Sequence, residues 1–102
     1  REMRGVRKMI IDEKIFELGE TRLVMLDIWL NDGSEFRPVD PVWSLKKGSN
    51  ETHGACATEE LVNRHWKLSA LVTPTIKGDW KLTFTFGLGA EIVKKSVIVK
   101  VV

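Results

Sequence analysis

Three side chains in this 102-residue sequence have the chemistry to hold a metal or act as a nucleophile pair: His53, Cys56 and His65. Imidazole and thiolate are good zinc ligands, and Glu59 or Glu60 could stand fourth. Yet His53-x-x-Cys56 is one half of a zinc motif, and the other half offers a single histidine without paired spacing. Cys56 also lies between Ala55 and Ala57, the setting of a small buried hydrophobe. A cysteine–histidine nucleophile needs a surrounding motif to fix its geometry, and none is present. The expectation is therefore no catalytic residue, no metal and no cofactor: the chain is not read as an enzyme.

Other motifs are weaker. Gly87-Leu88-Gly89-Ala90-Glu91-Ile92 begins like a dinucleotide loop, but the third glycine is absent and the segment leads into a strand pattern. Without a helix N-terminus there is nothing to cradle a phosphate, so this is a hairpin turn over Gly87-Leu88-Gly89. Asn31-Asp32-Gly33-Ser34-Glu35 has oxygen ligands but not the spacing of a calcium loop, and reads as a turn. Arg1, Arg4, Arg7 and Lys8 form a basic entry with no aromatic stacking platform among them, which reads as a solvated terminus or linker. Asn50-Glu51-Thr52 is a glycosylation sequon, meaningful only in a chain secreted by a eukaryote.

The elements that would position these residues are strands. Short apolar runs fall at Met9 to Ile11, Ile15 to Leu18 and Leu23 to Leu30, the last stopped by Asn31-Asp32-Gly33-Ser34. Pro38 and Pro41 mark an irregular connection before Val42 to Leu45. Thr52 to Asn63 is ambiguous: Ala55 to Thr58 suits an edge strand, while Thr58 to Val62 suits one helical turn with Thr58 as its N-cap. Beyond it, Trp66, Leu68, Ala70 and Val72 alternate with Lys67, Ser69 and Leu71. Trp80, Leu82, Phe84 and Phe86 alternate with Lys81, Thr83 and Thr85, and Val97, Val99 and Val101 close the pattern. About seven short strands with turns every 8–12 residues is the signature of an all-β sandwich. Alternation of this kind suits antiparallel sheets with one dry face.

Composition agrees with one domain held by its core. The net charge is +2, 43% of residues are hydrophobic, and the single cysteine forbids an intrachain disulfide. That balance gives no reason to expect nucleic acid, and no apolar run is long enough to span a bilayer. The chain starts at Arg1 with no apolar signal segment after it, and we read it as a mature product or a piece of something longer.

The last third resembles the end of a bacterial or phage immunoglobulin-like domain. The residues concerned are Lys77-Gly78-Asp79-Trp80-Lys81-Leu82-Thr83-Phe84-Thr85-Phe86 and Ala90-Glu91-Ile92-Val93-Lys94-Lys95-Ser96-Val97-Ile98-Val99. Leu18-Gly19-Glu20-Thr21 is similar to the family's lead-in to its second strand, and Val42-Trp43-Ser44-Leu45 to its third strand with a core tryptophan. Trp80 stands where a tyrosine is usual, and the cysteine pair of antibody domains is missing. The resemblance implies an immunoglobulin-like antiparallel β-sandwich over residues 15–102. It leaves 1–14 as a basic segment with a possible first strand. It also implies a structural, assembly or adhesion module of a larger bacterial surface or phage structural protein, touching neighbouring domains or subunits. Such a module is expected at a cell surface, outside the cell or on a virion, although the cytoplasm is also open.

One strand breaks the dry-and-wet rule. If Val24, Leu26, Ile28 and Leu30 face the core, Leu23, Met25, Asp27 and Trp29 face outward, and three of those four are apolar. Either a second layer such as the N-terminal segment covers them, or they form a contact patch. Met25, Asp27 and Trp29 are the expected binding residues, with Trp29 as anchor. Trp43, Trp66 and Trp80 are assigned to the core. The alternative is a module that binds a protein or carbohydrate ligand, in which an exposed Trp29 stacks on sugar.

Overall fold

The computed structural model describes residues 6–11 and 14–102, the first of these segments by its backbone. Among the described residues nine strands form: β1 (Val6–Ile11), β2 (Lys14–Phe16), β3 (Arg22–Leu30), β4 (Val39–Lys47), β5 (Asn50–Ala55), β6 (Ala57–Glu60), β7 (Trp66–Val72), β8 (Gly78–Leu88) and β9 (Glu91–Val101). They build two packed sheets, one of four strands in the order β1-β3-β7-β6 and one of five in the order β2-β9-β8-β4-β5. The chain is an all-β sandwich. The strands beyond the expected seven are short or lie at sheet edges, where little hydrophobic alternation marks them. β5 and β6 are almost wholly solvent-exposed and carry no apolar period.

The core follows directly from the period-2 pattern. Val24, Leu26 and Ile28 of β3 and Trp66, Leu68, Ala70 and Val72 of β7 face inward from one sheet. Leu45 of β4, Trp80, Leu82, Phe84 and Phe86 of β8, and Val93, Val97, Val99 and Val101 of β9 meet them from the other. Burying the two indoles leaves each N–H needing an acceptor. Trp66 Nε1 donates to the Phe36 carbonyl and Trp80 Nε1 to the Ile76 carbonyl, both at 2.8 Å. Trp43, expected in the core, packs against it but stays partly exposed, because β4 and β5 run towards the edge of their sheet.

Four local expectations are corrected. The helical turn proposed for Thr58 to Val62 does not form. Ala57–Glu60 is a strand paired with β7, and a 3-10 turn at Val62–Arg64 follows it. The hairpin turn lies one step later than expected: β8 runs through Gly87 and Leu88, and Gly89 (φ +60°) with Ala90 makes the turn. Gly87 is instead a close approach, where an added Cβ would meet Val39 Cβ at 3.2 Å. Pro41 lies inside a strand rather than in a connection. The ladder slips between Val39 and Val42, Asp40 takes φ +47°, and the slip accommodates the proline's missing N–H. Finally, one pairing is parallel: β2 runs alongside Val99–Val101 of β9.

Successive strands change sheet between β1 and β2, β2 and β3, β3 and β4, β5 and β6 (at Cys56), and β7 and β8. The Cys56 N–H donates to the Pro41 carbonyl at 2.9 Å. β1 pairs edge to edge with β3, Met9 opposite Ile28 and Ile11 opposite Leu26. It extends the sheet and does not lie over the outer face of β3. No helix among the described residues is long and apolar enough to cross a membrane.

Candidate functional site

The outer face of the β3–β7 pair carries the three residues expected to bind. Antiparallel pairing places residues side by side in rows, and all but one of the rows here are chemically matched, the exception being Met25 opposite Ser69. Thr21 and Thr73 share a hydroxyl hydrogen bond of 2.6 Å just beyond the strand ends. Leu23 then stands opposite Leu71, Met25 opposite Ser69, and Asp27 opposite Lys67. Trp29 completes the series by stacking on His65, ring centroids 4.5 Å apart and planes 7° from parallel. Pairs of this kind stabilise a sheet by about 0.2–1 kcal/mol each.

The face therefore has three zones. One end is apolar and open: Leu23 is 49% exposed, Leu71 58% and Met25 39%. The middle is charged, with Lys67 Nζ reaching 3.0 Å to Glu59 on β6 and Asp27 half-buried beside it. The far end is aromatic, and there the sandwich loops gather. Trp29 is half-buried, because the His65 ring covers one of its faces. Met25, Asp27 and Trp29 thus share one face, as expected, but Met25 belongs to the apolar zone and Trp29 to the loop end. Leu71 is the residue that sequence reasoning passed over. It broke the polar-outward rule of its strand just as Leu23 did, and that was the available signal.

At the loop end the backbone is strained. Asn63 and Arg64 both take φ +61°, a region that non-glycine residues enter at a cost of about 1–3 kcal/mol. Their turn is closed by Leu61 N–H to the His65 carbonyl at 2.7 Å. The Arg64 guanidinium donates to the Gly33 carbonyl at 3.1 Å, tying this turn to the β3–β4 loop. In that loop Asp32 accepts hydrogen bonds from Ser34 N–H (2.9 Å) and from its hydroxyl, which hold the Asp32 carboxyl below its ordinary range. The carboxylate closes its own turn. Arg37 lies over the Trp66 ring at 5.3 Å, and Val62 projects from the turn tip, 82% exposed.

The residues with metal or nucleophile chemistry are dispersed. His53 is on the outer face of the five-stranded sheet, 3.7 Å from Glu51. Cys56 sits at the crossing between sheets, packed against the core, and burial pushes its thiol up to about 11. His65 is on Trp29. Among the described residues no three His, Cys, Asp or Glu side chains come together. Of the basic entry, Arg1 and Arg4 lie outside the described residues, and Arg7 and Lys8 are placed by backbone only.

No family model matches the chain, and no curated protein does. Solved structures that share its fold include the following two. One is an engineered protein from a structural genomics consortium, with a TM-score of 0.63 at 14% identity over 93% of this chain. The other is the endo-β-1,4-mannanase of Thermotoga petrophila, with a TM-score of 0.51 at 18% identity over 89% of this chain. The chain spans 20% of the first and 18% of the second, and at these identities the likeness is one of fold.

Proposed function

We propose that the chain is an immunoglobulin-like module that acts by contact and not by catalysis. It would be an assembly or adhesion unit of a larger bacterial surface or phage structural protein, outside the cell or on a virion. The strand order supports the finer fold reading. β1-β3-β7-β6 opposite β9-β8-β4 is the ABED-against-GFC arrangement of immunoglobulin sandwiches, with β5 added beside β4. A fold that fills about a fifth of its structural neighbours also suits a unit built into something longer.

The observation that carries the contact reading is the open apolar row Leu23–Leu71 with Met25 beside it. An uncovered apolar patch on an ordered sheet face favours a partner surface, here a neighbouring domain or subunit or a second copy of the chain. Nucleic acid and membrane insertion have no part in this reading. The alternative, a protein- or carbohydrate-ligand module centred on Trp29, is weaker for sugar, because His65 already takes one stacking face of the indole.

Light scattering across a concentration series, on the native chain and on Leu71→Lys and Trp29→Lys, tests the proposal. Native association lost in Leu71→Lys places the contact on the apolar zone, and loss only in Trp29→Lys moves it to the loop end. Association that both variants retain would overturn this face as the contact surface.

A further inference from the structure

The opposite surface of the sandwich has a different character. Lys46, Lys81, Lys94 and Lys100 all point outward from the five-stranded sheet, against Glu51 and Asp79. Lysines at a sheet edge are ordinary protection against strand pairing, which accounts for Lys94 on the β9 stretch that β2 leaves uncovered. Lys46 and Lys81 have no such explanation. β4 and β8 are interior strands of this sheet, and the two lysines stand directly opposite each other in register. Like charges so placed have Cβ atoms about 5 Å apart and destabilise a sheet. Glu51 on β5 stands directly opposite Lys46 and offsets part of this repulsion, with His53 3.7 Å from its carboxylate, whereas Lys81 has Ile98 and no acid on its other side. Next to the lysines runs a polar row, the imidazole of His53 followed by the hydroxyls of Ser44, Thr83 and Ser96, with Thr83 and Ser96 hydrogen-bonded at 2.8 Å.

We propose that this face binds an acidic polysaccharide laid across the strands, its carboxylates at Lys46 and Lys81 and its hydroxyls along Ser44, Thr83 and Ser96. Charge complementarity sets the sign of the ligand: an anionic chain relieves the Lys46–Lys81 opposition that the fold otherwise tolerates. The hydroxyl row selects a glycan over a nucleic acid, since no Phe or Trp points outward here to stack a base, and the one imidazole, His53, stands on the edge strand β5 beside Glu51. It also selects against a lipid surface, because Val42 and Ile98, the exposed apolar side chains that flank the hydroxyl row, are kept apart by it and each shares its row with a lysine.

The test is titration calorimetry at low ionic strength with polygalacturonate as probe. It compares the native chain, Lys46→Gln/Lys81→Gln, and a control of equal charge change, Lys77→Gln/Lys95→Gln, whose residues lie off this face. Binding should weaken about tenfold or more in the first variant and stay within about twofold in the control. Thermal melting checks folding, and Lys46→Gln alone, with a partial loss, serves if the double variant fails to fold. No binding to the native chain would overturn the proposal, as would equal loss in both double variants. Tighter binding of short duplex DNA, or of vesicles with equal parts phosphatidylcholine and phosphatidylserine, would overturn the glycan assignment. This face is the reverse of the Leu71 surface, so each proposal can fail without the other.

Discussion

Trp43 stands directly across from Gly54, and its indole occupies the space that a side chain at 54 would need. A Cβ built on Gly54 would lie 2.8 Å from Trp43 Cζ2 and Nε1. A glycine inside a strand ordinarily weakens it, but here it admits a large ring that shields the β4–β5 pair.

Gly54→Ala is therefore expected to destabilise the fold by about 1–3 kcal/mol, since the indole must leave its position. Thermal or urea unfolding checks this. An unchanged midpoint would mean that the ring shifts at no cost.

The Trp29–His65 stack joins β3 to the strained turn before β7. His65→Ala should cost about 0.5–1.5 kcal/mol and move tryptophan emission to longer wavelength as Trp29 becomes wetter. A spectrum identical to the native one would show that the imidazole does not shelter the indole.

Phe16 anchors the three-residue strand β2. It is fully buried, Arg22 lies over its ring at 4.8 Å, and Arg22 also donates to the Ile15 carbonyl at 2.8 Å. Phe16→Ala should cost about 3–5 kcal/mol, while Arg22→Met, which keeps the stem but loses the charge, should cost clearly less. Unfolding curves for the two variants test the order.

Cys56 provides a pH dependence. Its thiol is neutral in folded and unfolded chains at pH 7. Above the ordinary value of 9.0 the unfolded chain ionises first, while the folded thiol holds its proton to about 11. Cys56 should therefore lower stability progressively between those two pH values, and a Cys56→Ala chain should lack that component. The same shift should make the native thiol slow to react with a maleimide at pH 8, with denaturant restoring the rate. Fast native labelling would contradict the burial.

The large strands were legible because their physics is local. In β7 and β8 every second residue is apolar, and a strand can bury such a row only by turning it to the core. The outward apolar side chains of β3 were legible for the same reason in reverse. The weak strands were not. β5 reads Asn-Glu-Thr-His-Gly-Ala, which has no apolar alternation and a single β-branched residue, Thr52, and it is a strand because β4 offers it a hydrogen-bonding edge.

The sequence by itself determined an all-β chain, its hydrophobic core and the misfit of Leu23, Met25 and Trp29, because period-2 burial is written in neighbouring residues. Only the tertiary structure decided which residues share a row across strands. Register set Leu71 beside Leu23, His65 on Trp29, and Lys46 opposite Lys81. Those pairs are separated by between 35 and 48 positions, and they meet only because hydrogen-bonded ladders and the buried faces behind them fix the alignment.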